Sequence, residues 1–85
     1  MTPTKTLNET VELMLSEDPV ERFKAEYYQL ENRVIKLDEY LLNWDLGRLD
    51  PEPNVSKFLY SEQLGHMKNY LTAMKKRATA EGIEL

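Results

Sequence analysis

The sequence predicts an all-α fold: an antiparallel hairpin of two long helices with a short N-terminal helix, assembling into a homo-oligomeric helical bundle. Three observations carry that reading. Val20, Phe23, Tyr27, Leu30, Val34, Leu37, Leu41 and Trp44 follow one another at alternating steps of three and four, the apolar stripe of one helix with coiled-coil regularity. Tyr60, Leu64, Met67, Leu71, Met74 and Ala78 repeat the spacing further along. Between the stripes lies a short glycine- and proline-bearing connection, and two helices of matched length joined that closely pack antiparallel.

The first element expected is a short helix over residues 7–17, after a frayed Met1–Lys5. Asn8 can cap it, and Val11, Leu13, Met14 and Leu15 supply apolar contacts. It either packs across its own hairpin or reaches to a neighbouring subunit; the sequence leaves both open. The long helix over residues 18–45 starts at a good N-cap, Asp18, with Pro19 at the first helical position and Glu21 placed for the reciprocal capping bond. At 1.5 Å per residue it forms a rod of roughly 39 Å. Tyr28, Ile35 and Leu42 repeat every seven residues beside its main stripe. One partner helix cannot cover both stripes, so this second one is the expected oligomer interface.

Residues 46–53 form the turn. Gly47 offers a permissive backbone position, and Pro51 and Pro53 stop helix propagation. The second long helix is expected over residues 54–82, capped by Asn54 or Ser56. Gly82 stands where a left-handed C-terminal cap belongs, with Ile83 placed to fold back on Ala78. Gly65 inside this helix costs about 1 kcal/mol against alanine; either that cost is simply tolerated or a neighbouring helix comes close there.

Length and composition bound the function. The 85 residues make one small domain, 1–85, with a thin core. The absence of cysteine excludes disulfides and thiolate metal sites. No apolar run approaches the roughly 20 residues that span a bilayer, and MTPTKTLNET does not read as a secretory signal. A net charge of −4 argues against a nucleic-acid polymer as partner. No catalytic residue, metal site or cofactor is expected: there is no glycine-rich phosphate loop, GxSxG or HExxH, and the single histidine, His66, lacks companions. Glu26, Glu31, Asp38 and Glu39 read as a solvated, helix-supporting face.

One polar stripe stands apart. Arg22, Gln29, Arg33 and Lys36 share a narrow sector of the first long helix, with Ala25 among them and Tyr40 beyond. Such a set is either a wetted helix face or a surface for phosphates, since guanidinium groups bind phosphate oxygens in pairs and stack on bases. Lys75, Lys76 and Arg77 cluster late in the second long helix, where the helix dipole alone favours positive charge.

ERFKAEYYQLENRVIKLDEYL, followed after a turn by EQLGHMKNYLTAMKKR, resembles a family of small phage helical proteins. Their pattern combines an EY-x-x-L-x-x-R-[VI]-x-K-L core with an L-x-x-M-x-x-Y-L-x-x-[ML]-x-x-R second helix. The match runs from about Glu21 to Arg77. The family includes small proteins of crAss-like phages and the anti-CBASS sponges that sequester cyclic oligonucleotides. The resemblance implies a homo-oligomer, a hexamer, in the cytoplasm of an infected bacterial host. It would bind cyclic dinucleotides between protomers without cleaving them, and cyclic trinucleotides in a second pocket. Lys36 would correspond to a dinucleotide-binding lysine and Arg77 to an arginine of the trinucleotide pocket. The family's aromatic contact near the start of the long helix finds Glu21 or Phe23 here, a departure that leaves the ligand's bases open. The expected nucleotide-binding set is Arg22, Phe23, Tyr27, Arg33, Lys36 and Arg77. The competing reading is a structural adaptor that docks a host or phage protein through its Tyr28/Ile35/Leu42 face.

Overall fold

The computed structural model covers residues 1–85 and is all-α. A 3-10 turn, Asn8–Thr10, leads directly into α1, Val11–Met14; α2 spans Pro19–Asp45 and α3 spans Lys57–Glu81. The two long helices pack as a hairpin in a rod measuring 43 × 24 × 20 Å. Its core is the seam between them. Phe23, Tyr27, Leu30, Val34 and Leu41 of α2 meet Leu64, Met74 and Ala78 of α3, with Leu37, Trp44, Tyr60, Met67 and Leu71 half-buried at the edges. Of the two expected stripes only Val20 is exposed, because it sits in the first turn of α2, at the open end of the hairpin.

The ends of α2 and α3 follow from local chemistry. Asp18 Oδ1 accepts from the Val20 N–H at 2.9 Å, as an N-cap does. The reciprocal bond expected from Glu21 is not made. Ser16 Oγ accepts from the Asp18 N–H instead, at 3.0 Å, a two-residue reach that orders less side chain than the longer glutamate would. At the other end of α2, Gly47 takes a left-handed φ of 68° and the Arg48 N–H donates to Asn43 O at 2.8 Å. Gly82, at φ 69°, does the same for α3, where the Ile83 N–H donates to Ala78 O at 2.8 Å. Both are the 6→1 closure in which glycine avoids the Cβ clash of the left-handed region. Ser56, not Asn54, caps α3, accepting from the Phe58 N–H at 3.3 Å. The turn is pinned by the Trp44 indole N–H, which donates to Glu52 at 2.9 Å, and by a Lys57–Asp45 ion pair.

The N-terminal segment packs on its own hairpin. Its helix starts with a capping box at Thr6 and Glu9 rather than with an Asn8 cap. Thr6 Oγ1 accepts from the Glu9 N–H, and Glu9 Oε1 accepts from the Thr6 N–H at 3.0 Å. Those bonds to Thr6 hold the Glu9 carboxyl below its ordinary range. Along α2 the segment is tied by the Thr4 N–H donating to Glu31 at 2.8 Å, by Asn32 donating to Lys5 O, and by Gln29 donating to Thr10 Oγ1 at 3.0 Å. Lys5 lies over the Tyr28 ring, 5.6 Å from its centroid.

Candidate functional site

The polar sector of α2 is divided by the N-terminal segment. Arg22 turns toward the chain entering α2 and donates from Nη1 to Ser16 O at 2.7 Å. Gln29 is held by Thr10 and also reaches Met14 Sδ at 3.5 Å. Arg33 and Lys36 are left free. Both are exposed, and neither makes an ion pair or hydrogen bond within the chain, whereas Lys57, Lys68 and Arg77 are paired with Asp45, Asp38 and Glu81.

Lys24, Arg48, Lys75 and Lys76 are likewise unpaired, but Arg33 and Lys36 border an open groove of about 450 Å³ between α2 and α3, lined also by Leu37, Tyr40, Tyr60, Gln63 and Met67. The helix repeat places Arg33, Lys36 or Leu37, and Tyr40 on successive turns of one side of α2. Leu37 and Met67, both half-buried against the core, floor the groove. Tyr40 and Tyr60 line it from either helix, with ring centroids 5.7 Å apart. Cations with no internal counter-ion beside flat aromatic surface make a setting in which phosphate oxygens and planar rings can bind together. Sequence periodicity brings out Arg33 and Lys36; Tyr60, Gln63 and Met67 join them only through the pairing of the helices, which a single-helix projection does not contain.

The other expected site residues lie elsewhere. Phe23 and Tyr27 are buried in the helix seam. Tyr27 meets Tyr28 edge-on at 5.5 Å, and burial together with the Glu31 carboxylate pushes both phenols above their ordinary value. Arg77 is at the opposite end of α3, about 21 Å from Gln63 by helix rise, where its guanidinium lies 4.7 Å from the Phe23 ring centroid and 3.5 Å from Glu81. A small hollow of about 100 Å³ adjoins it, lined also by Pro19, Val20 and Ile83. The Tyr28/Ile35/Leu42 stripe is covered unevenly. Tyr28 lies beneath the chain's own N-terminal segment, 5% exposed; Ile35 is half-buried; Leu42 is 56% exposed.

No three or more His, Cys, Asp or Glu side chains converge as metal ligands, and no helix is long and apolar enough to cross a membrane. No curated protein and no solved structure matches the chain. One family model does, over residues 17–80, which takes in all of α2 and nearly all of α3 and leaves out the N-terminal segment. On that match, spanning the hairpin and its groove, the chain belongs to the Sequestin family.

Proposed function

We propose that this chain binds and sequesters cyclic oligonucleotide second messengers, removing them from solution without cleaving them and so blunting CBASS-type immunity in a phage-infected bacterium. The observation that carries the reading is the Sequestin match across both long helices; the α2–α3 groove supports it. A groove near 450 Å³ is within the range of small-ligand sites. Arg33 and Lys36 supply charge-assisted contacts to the phosphates of a cyclic dinucleotide. Arg22, Phe23 and Tyr27 serve this reading as residues that fix the helix pair and its N-terminal segment. Arg77 belongs to a second site at the far end of the hairpin, for a cyclic trinucleotide. Because the dinucleotide groove is open on one side, a second protomer closes it, and the working form is a homo-oligomer, a hexamer by the family resemblance.

Native mass spectrometry with a panel of cyclic di- and trinucleotides tests all of this at once. The expected result is an oligomer that gains whole-ligand mass, with the ligand recovered intact after heat denaturation. Linearised product would replace sequestration by phosphodiester hydrolysis. Lys36→Ala should weaken cyclic dinucleotide binding at least ten-fold, the loss of a charge-assisted bond worth about 1.5–3 kcal/mol, with helicity unchanged. Phe58 and Leu59, 65% and 58% exposed at the start of α3, favour a second reading, an adaptor that docks another protein. A 10 kDa monomer that takes up no cyclic nucleotide would decide for it.

A further inference from the structure

We propose that Tyr40 and Tyr60 are the base-stacking wall of the α2–α3 groove and set its preference among nucleotides. The inference rests on the reading that the groove takes a cyclic oligonucleotide. It assigns a part of the site for which neither the free cations nor the family match accounts.

The aromatic residues sort by surroundings. Phe23, Tyr27 and Tyr28 are buried in the core. Phe58 and Tyr70 are exposed and stand outside the groove. Trp44 is half-buried, with its indole N–H committed to Glu52. Tyr40 and Tyr60 remain: both line the groove, both are half-buried as Trp44 is, and neither hydroxyl makes a hydrogen bond within the chain.

Trp44 packs against both rings. Trp44 meets Tyr40 at 6.2 Å and 78°, and Tyr60 at 5.6 Å and 69°, so one indole braces both rings edge-on. Braced rings lose little rotamer freedom when a ligand arrives, which is what makes an aromatic surface effective in binding. The rings lie 5.7 Å apart and tilted by 48°. Slotting a base between them would take two stacking gaps of about 3.4 Å each. The base therefore lies on the groove-facing wall and does not enter between the rings. Lys36 precedes Tyr40 by one helical turn, about 6 Å along the axis. A nucleotide whose phosphate is held at Lys36 thus brings its base to the wall, with the free hydroxyls within reach of its polar edge.

Stacking on a wall accepts any base but favours the larger ring system. A groove that worked by charge alone would treat purine and pyrimidine dinucleotides alike. The assigned wall makes it prefer cyclic di-AMP over cyclic di-UMP.

Titration calorimetry of the full chain with these two ligands tests the assignment. Tyr40→Leu should weaken cyclic di-AMP about ten-fold and bring the di-AMP to di-UMP affinity ratio toward one, while Tyr40→Phe keeps both affinities. Tyr60→Leu and Tyr60→Phe should repeat the pattern. Lys36→Ala should weaken the two ligands equally. Tyr60 also packs against the core; if Tyr60→Leu loses helicity by circular dichroism, Tyr40→Leu alone decides, since Tyr40 is not part of that cluster. Parent-like binding by Tyr40→Leu beside a ten-fold loss in Lys36→Ala would overturn the stacking wall and leave sequestration standing. A parent protein that binds neither ligand, nor any other cyclic oligonucleotide, would overturn both.

Discussion

Thr10 is wholly buried, an unusual position for a hydroxyl, and its bonds explain how the chain tolerates it. The hydroxyl donates to Leu7 O at 2.7 Å and accepts from Gln29 at 3.0 Å. Thr10→Val keeps the shape and removes both bonds. It should cost about 1–3 kcal/mol, because the Leu7 carbonyl and Gln29 amide lose a partner. For a domain of this size that lowers Tm by roughly 4–8 °C per kcal/mol, read directly from a thermal melt, and Thr10→Ser should lose much less. Tyr27 and Tyr28 make a pH prediction. Burial first, and then Glu31, raises both phenols above 10.0 in the folded chain. The unfolded chain therefore loses these protons first as pH rises. The stability they contribute is whole below about pH 10 and drains away as pH climbs through the raised folded values. The double variant Tyr27→Phe/Tyr28→Phe should lose less Tm than the parent between about pH 9 and pH 11. An equal loss in both would place the alkaline sensitivity elsewhere.

At the scale of elements, the long helices were legible because their caps and stripes are written in contiguous sequence. Asp18–Pro19 at one end and Gly82–Ile83 at the other act as expected, and the all-α hairpin follows from two stripes of equal period. The N-terminal segment was harder. TLNE carries a capping box at Thr6 and Glu9, a signal present in the sequence but overshadowed by Asn8. That the segment lies along Gln29, Asn32 and Glu31 rests on polar contacts between distant residues, and periodicity does not encode those. The groove was half legible for the same reason: one helix face yields Arg33 and Lys36, while the Tyr60 wall depends on how α3 is set against α2. Gly65 makes a prediction at this scale. A Cβ there would meet nothing within 4 Å, so the chain's own packing gives no reason for glycine. Gly65→Ala should then stabilise the isolated hairpin by up to about 1 kcal/mol. If another protomer approaches α3 at this point, the same change should weaken assembly while raising helix stability. Denaturation midpoint and sedimentation, measured on the same variant, separate the two outcomes.

The whole molecule exposes more surface than its mass requires. A folded monomer of 10.0 kDa is expected to expose about 5,200 Å², whereas this chain exposes 6139 Å² and buries only 12 of its 85 residues. The difference of about 900 Å² is close to what one partner contributes to a standard interface, about 800 Å². Much of the exposed apolar surface is at the turn end of the hairpin, where Leu42, Leu46, Val55, Phe58 and Leu59 are each more than half exposed. Tyr28, by contrast, is already covered from within the chain, so the seven-residue stripe can offer a partner only its Ile35–Leu42 part. We therefore expect protomers to meet through the turn end and the adjoining groove, which would also close the open side of the proposed ligand site. Leu42→Asp places a carboxylate where it would be desolvated on assembly, at a cost of several kcal/mol if it is left unpaired. In the lone hairpin it would face water and change little. Sedimentation velocity at micromolar concentration should therefore show an oligomer for the parent and a folded 10 kDa species for Leu42→Asp. Tyr28→Asp should unfold the N-terminal segment before it affects assembly. A parent that sediments as a stable monomer would remove the shared-site arrangement and leave the groove to act alone, with its affinity limited to what one open wall and two cations supply.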